Sequence, residues 1–127
     1  MYILSRILRD VNKIDTRTTV FGSTICLPIA FAPSATQRLA GGEGELDVVR
    51  TASNPGLNMT LSSQSTTSLE EVMTAAKLQA AGGGGVLSPK FWFQIYMTPD
   101  MNHSIALIKR AEGTVPMTVK NIKLGGC

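Results

Sequence analysis

The chain has 127 residues, 43% of them hydrophobic and 17% charged, with a formal net charge of +3. That composition fits one ordinary soluble domain. The twelve lysines and arginines are scattered, with no basic stripe and no aromatic interleaving, so no nucleic-acid partner is expected. No apolar run reaches the roughly 18 residues that cross a bilayer, so no membrane partner is expected either. Met1-Tyr2-Ile3-Leu4-Ser5-Arg6 meets charge too early for a signal peptide. Gly125-Gly126-Cys127 is neither a prenylation box nor a peroxisomal address. Cys26 and Cys127 are too few for a disulfide framework, which points to a reducing, intracellular compartment. Cytoplasm, peroxisome and mitochondrion are not distinguished. In such a compartment the sequons Asn58-Met59-Thr60 and Asn102-His103-Ser104 are coincidental.

In chain order, Thr18 to Leu27 reads as a β-hairpin, with β-branched and aromatic residues around Gly22-Ser23, a type II′ turn signature. Residues 28–120 then repeat a pattern. Apolar strand candidates begin near Pro28, Asn58, Phe91 and Pro116, and a helix candidate fills each gap. The first helix, about Gly44 to Ser53, sets Leu46, Val49 and Ala52 on one side, with Glu45 and Asp47 complementing the dipole in its first turn. The second opens with Ser68-Leu69-Glu70-Glu71, a capping box, and carries Leu69, Val72, Met73 and Ala76 at helical spacing. The third takes Asp100 as its N-cap and sets Met101, Ile105, Ile108 and Ala111 on its inner face. Alternating strands and helices indicate βαβ units on a parallel sheet. The strand candidates recur roughly every 30 residues, close to the about 31 per unit of an eightfold βα barrel. A small doubly wound sheet fits the same period, so spacing alone does not choose.

Motifs do choose. Arg6-Ile7-Leu8-Arg9-Asp10-Val11, Lys13-Ile14-Asp15, Thr18-Thr19-Val20-Phe21-Gly22, Ala32-Pro33-Ser34-Ala35 with Gln37-Arg38, Leu61-Ser62-Ser63 and Trp92-Phe93-Gln94-Ile95-Tyr96 occur in that order. Together, from about Ile7 to Val119, they resemble the FMN-dependent α-hydroxy acid oxidases and dehydrogenases. The resemblance implies an α/β fold: a partial TIM barrel of three βα units and a fourth strand, preceded by the hairpin. It implies FMN as cofactor and a small 2-hydroxy acid as substrate. By resemblance, the backbone of Pro33, Ser34 and Ala35 lies against the flavin. Ser62, Gln94 and Thr118 match positions that hydrogen-bond its pyrimidine edge, and Tyr96 matches a tyrosine that contacts substrate oxygens. No metal site is expected. The small residues of Ala32 to Ala35 then have a reason: a planar ring approaches a backbone only where side chains stay small.

The same resemblance places the catalytic histidine, its neighbouring arginine and a flavin-side lysine in the second half of the barrel. No catalytic residue is therefore expected in this chain. The lone His103 reads as a surface residue in the first turn of the third helix. Gly82-Gly83-Gly84-Gly85 reads as a flexible linker between the second helix and the third strand. Near the C-terminus Lys120 stands where the family carries an aspartate, and Pro116 removes a ladder donor from the fourth strand. Two functions follow: the N-terminal barrel half of a hydroxy-acid oxidoreductase, or a non-catalytic remnant that self-associates. Either way, unpaired sheet edges predict a homo-oligomer or aggregation.

Overall fold

The computed structural model describes residues 4, 7, 8, 10, 12–82 and 91–114. Two short strands, β1 (Thr18–Val20) and β2 (Ser23–Ile25), pair antiparallel with Val20 opposite Ser23. The turn is therefore Phe21-Gly22, not the expected Gly22-Ser23. Both of its central residues have positive φ, 49° and 76°, which is the type I′ geometry that matches strand twist. Phe21 is a bulky residue in the left-handed region. Its ring meets Trp92 edge-on, with centroids 5.3 Å apart and planes at 85°.

The rest is a run of βα units. β3 (Ala30–Phe31) is followed by a 3-10 turn over Gln37–Ala40 and by α1 (Glu45–Ser53). β4 (Asn58–Ser62) leads to α2 (Leu69–Ala81), and β5 (Phe91–Gln94) to α3 (Met101–Thr114). The strands lie parallel in the order β3-β4-β5, with Phe31 opposite Met59 and Ser62 opposite Gln94. The parallel, alternating expectation holds. The fourth strand near Pro116, Thr118, Lys120 and the glycine run beyond Gly82 lie outside the described residues.

Strand alternation sorts the sheet into two faces. Phe31, Met59, Leu61, Phe91 and Phe93 turn toward the helices and join Val49, Ala52, Leu69, Val72, Met73, Ala76 and Ala111 in one core. Ala30, Asn58, Thr60, Ser62, Trp92 and Gln94 share the opposite face by register. That face is met at Trp92 by the hairpin tip. Ala30 is exposed, and Thr60, Trp92 and Gln94 are half-buried.

Helix α2 starts as its sequence predicts: the Ser68 hydroxyl accepts from the Glu71 amide, and the Glu71 carboxylate accepts from the Ser68 amide at 3.0 Å. All four of its expected core positions are buried. In α3 the Asp100 carboxylate accepts from the Asn102 amide at 3.0 Å, so the cap stands. Its inner face is rotated from the expected one. Ser104 and Ala111 are buried, whereas Met101 and Ile105 are 51% and 42% exposed. The reason is polar: the Ser104 hydroxyl accepts from the Thr98 amide and shares a hydrogen with the Thr98 hydroxyl, each at 3.1 Å.

Candidate functional site

Parallel strands bring their C-terminal ends to one rim, where a βα protein gathers its chemistry. Ser62 ends β4 and is buried; Gln94 ends β5 directly opposite. The Ser62 hydroxyl donates to Gln94 Oε1 at 3.2 Å and accepts from the Gln64 amide at 3.1 Å. The Ser63 amide donates to the Gln94 carbonyl at 2.8 Å, carrying the ladder one step past the strands. These two residues, expected from sequence to share a role, form a contact pair.

Phe31 is level with Met59, and Ser34 follows three residues past Phe31 as Ser62 follows three past Met59. Ala32, Pro33, Ser34 and Ala35 are all exposed and follow β3 without regular structure. Tyr96 lies two residues beyond β5 and is 60% exposed. Ser34, Ala35, Ser62, Gln94 and Tyr96 therefore occupy one end of the sheet. Two hollows flank this end. One of about 200 Å³ is lined by Ser62, Ser63, Thr66, Leu69, Phe93 and Arg110 among others. A wider one of about 540 Å³ is lined by Ser34, Ala35, Gln37, Gly44 and Val48 among others. Neither unites Ser34 and Ala35 with Ser62 and Gln94. What they share is position: all four lie at or just beyond the C-terminal ends of parallel strands.

The loops after β3 and β4 are tied together. The Thr36 amide donates to the Gln64 carbonyl at 3.2 Å, and the Arg38 amide to the Thr66 hydroxyl at 3.3 Å. Beneath them sits Glu45, the first residue of α1, with no exposed surface. Its Oε1 accepts from the Thr66 amide at 2.8 Å and the Gln37 amide at 3.4 Å. Its Oε2 accepts from the Thr66 and Thr67 hydroxyls at 2.7 and 2.8 Å. Burial alone raises a carboxyl pKa. Here the Thr66 side chain and amide, with the Thr67 hydroxyl, outweigh burial and hold Glu45 down to about 2. The fit depends on Gly44, whose φ is 64° and whose missing Cβ would stand 2.8 Å from the Arg38 backbone nitrogen. In the sequence Glu45 reads only as a dipole-complementing acid. Its bonds reach Gln37, eight residues before it, and Thr66 and Thr67, 21 and 22 residues after it, which no helical or strand period encodes; the one usable signal is the adjacent Thr66-Thr67 pair just before the capping box.

Among the described residues no group of potential metal ligands is clustered, and no helix is long and apolar enough to cross a membrane. His103, in the first turn of α3, is exposed.

The family model for FMN-dependent dehydrogenase matches residues 1–119. Glycolate oxidase 3 of Arabidopsis thaliana is 44% identical over 124 residues, covering 94% of this chain and 31% of the relative. A 2-hydroxyacid oxidase of Dictyostelium discoideum is 43% identical, covering 87% of this chain and 26% of the relative. Among solved structures, a mandelate oxidase variant with (S)-mandelic acid superposes with a TM-score of 0.74 at 36% identity, over 89% of this chain and 30% of that one. The same variant with a hydroxylated FMN adduct gives 0.73. The chain thus spans less than a third of the length of these relatives, and its parallel units correspond to that part of their barrel.

The residues present can be tested against a flavin. An isoalloxazine offers a flat face and an imide edge that alternates acceptor, donor and acceptor. The exposed small stretch after β3 suits the first. The Ser62–Gln94 pair suits the second, because hydroxyl and amide together offer donors and acceptors, and no partner for Gln94 Nε2 is found among the described residues. The residues fit the group.

Proposed function

The chain belongs to the FMN-dependent dehydrogenase family, and from that premise we propose that it supplies the flavin-facing side of a site that oxidises a 2-hydroxy acid of the glycolate, lactate or mandelate type to the 2-oxo acid. In this reading the backbone of Pro33, Ser34 and Ala35 lies against the ring. Ser62 and Gln94 hold the imide edge and fix its orientation, and Tyr96 meets the substrate's oxygens. Thr118, outside the described residues, belongs to the same proposed set. FMN, when bound, supplies the two-electron acceptor. Oxidising the alcohol removes the α-hydrogen with its electron pair and the hydroxyl proton, and the proton needs a base within hydrogen-bond reach. The one histidine, His103, is an exposed residue of the first turn of α3 and is given no role in this reading, which assigns this chain binding and orientation. Relatives named as oxidases of glycolate and of 2-hydroxyacids support the substrate class.

The observation that carries the reading is the Ser62–Gln94 contact at the strand ends beside an exposed, small-residue backbone. The test is an NMR titration of the 127-residue chain with FMN. Shifts concentrated at the amides of Ser34, Ala35, Ser62 and Gln94, and lost in Ser62→Ala and Gln94→Ala, are expected. Shifts elsewhere, indifferent to both substitutions, would overturn the assignment.

A further inference from the structure

A fully buried carboxylate with four neutral donors is costly to build unless all its lone pairs are used. Glu45 uses them on two separate loops: Gln37 after β3, and Thr66 and Thr67 after β4. Those loops continue directly from the small stretch ending in Ala35 and from Ser62. Without this bridge, described contacts between the two loops are single hydrogen bonds of 3.2–3.3 Å, from the Thr36 and Arg38 amides. The bridge is also anchored, because Glu45 belongs to α1, which packs on the core through Val49 and Ala52.

We propose that Glu45 is a positioning residue: a buried carboxylate latch that holds the loop after β3 and the loop after β4 at one level, so that one flat cofactor can touch both. The flavin part of this inference rests on the function proposed above; the latch itself does not. Glu45 touches neither cofactor nor substrate and acts through Thr66, Thr67 and Gln37. A glutamine at this position keeps one carbonyl oxygen for the Thr66 and Gln37 amides but replaces the acceptor of the two hydroxyls by a donor. It should preserve about half the latch. An alanine should preserve none.

The experiment is amide hydrogen exchange on the full chain, comparing Glu45→Ala, Glu45→Gln and Thr67→Val with the unaltered protein. The amides of Thr36, Gln37 and Thr66 are expected to exchange roughly tenfold faster or more in Glu45→Ala, and by an intermediate factor in the other two, as local opening predicts. The amides of Leu61 and Val72, in β4 and α2, should keep their protection. Should Glu45→Ala unfold, Thr67→Val, which deletes only one donor, decides. Equal loss of protection in loops and core would mean general destabilisation and would overturn the latch, as would unchanged loop exchange in every variant. FMN is added in a second arm. Flavin-induced shifts at both Ala35 and Ser62 should collapse to one of them, or vanish, in Glu45→Ala. Their absence in the unaltered chain would overturn the flavin reading while the exchange data still judge the latch.

Discussion

At Glu45, hydrogen bonding and desolvation oppose one another, and their balance has a measurable pH dependence. Its carboxyl is held to about 2 against an ordinary 4.5, so the unfolded chain binds the proton first as pH falls. The stabilisation is therefore complete above about pH 5 and is lost as pH drops through about 2. A shift of that size corresponds to about 3 kcal/mol at full strength. Urea unfolding at stepped pH should show Glu45→Gln flattening the acid limb between about pH 4.5 and 2. An unchanged limb would mean that burial cancels the threonine bonds. Asp15 is a useful control, also held to about 2, chiefly by the Arg17 side chain. That pair is exposed and screened, so Asp15→Asn should move the limb little.

Elements are legible in the sequence where the signal is local, and displaced where a tertiary contact overrides it. The Ser68–Glu71 capping box and the apolar spacing of α2 depend only on residues within one or two turns, and both appear as read. The hairpin turn slips by one residue because its geometry places Phe21 in the left-handed region, against that residue's preference, with its ring on Trp92. The magnitudes nearly offset: left-handed strain of about 1–2 kcal/mol against about 0.5–1.5 kcal/mol for an edge-on aromatic pair. Phe21→Asn, which tolerates this conformation, should therefore change stability by no more than about 1 kcal/mol. Emission from Trp92, the only tryptophan, should shift to the red as its ring loses cover. A loss beyond about 2 kcal/mol would mean that the ring contact outweighs the backbone strain. The face of α3 departs from its periodicity for a similar reason, since the Thr98–Ser104 bonds, invisible to hydrophobic spacing, set its rotation. Likewise motifs nominate Ser62 and Gln94 but not Glu45, because its partners come from two separate loops, the one with Thr66 and Thr67 more than 20 residues away.

On the scale of the whole molecule, one sheet face is covered by three helices and the other carries Ala30, Thr60, Trp92 and Gln94 with substantial exposure. Among the described residues β3 and β5 each pair on one side only, and β5 presents Phe91, Trp92 and Phe93 in sequence. An aromatic, half-open edge strand invites pairing with another chain. The flavin contacts proposed above are all neutral groups: the Ser62 hydroxyl, the Gln94 amide and the backbone of Pro33 to Ala35. Neutral hydrogen bonds net about 0.5–1.5 kcal/mol each, so three or four of them reach roughly 4 kcal/mol, which corresponds to a dissociation constant near 1 mM. The 127-residue chain is thus expected to bind FMN no more tightly than about that value, to leave it unbleached by glycolate, lactate or mandelate under anaerobic conditions, and to grow in light scattering as concentration rises. Fluorescence quenching that gives submicromolar affinity would show that the open face contributes far more than its neutral contacts allow. Stoichiometric bleaching by a monodisperse monomer would go further. It would require a base among these residues, and since His103 is the only histidine, His103→Gln would then have to abolish the bleaching, or a carboxylate would have to take that role.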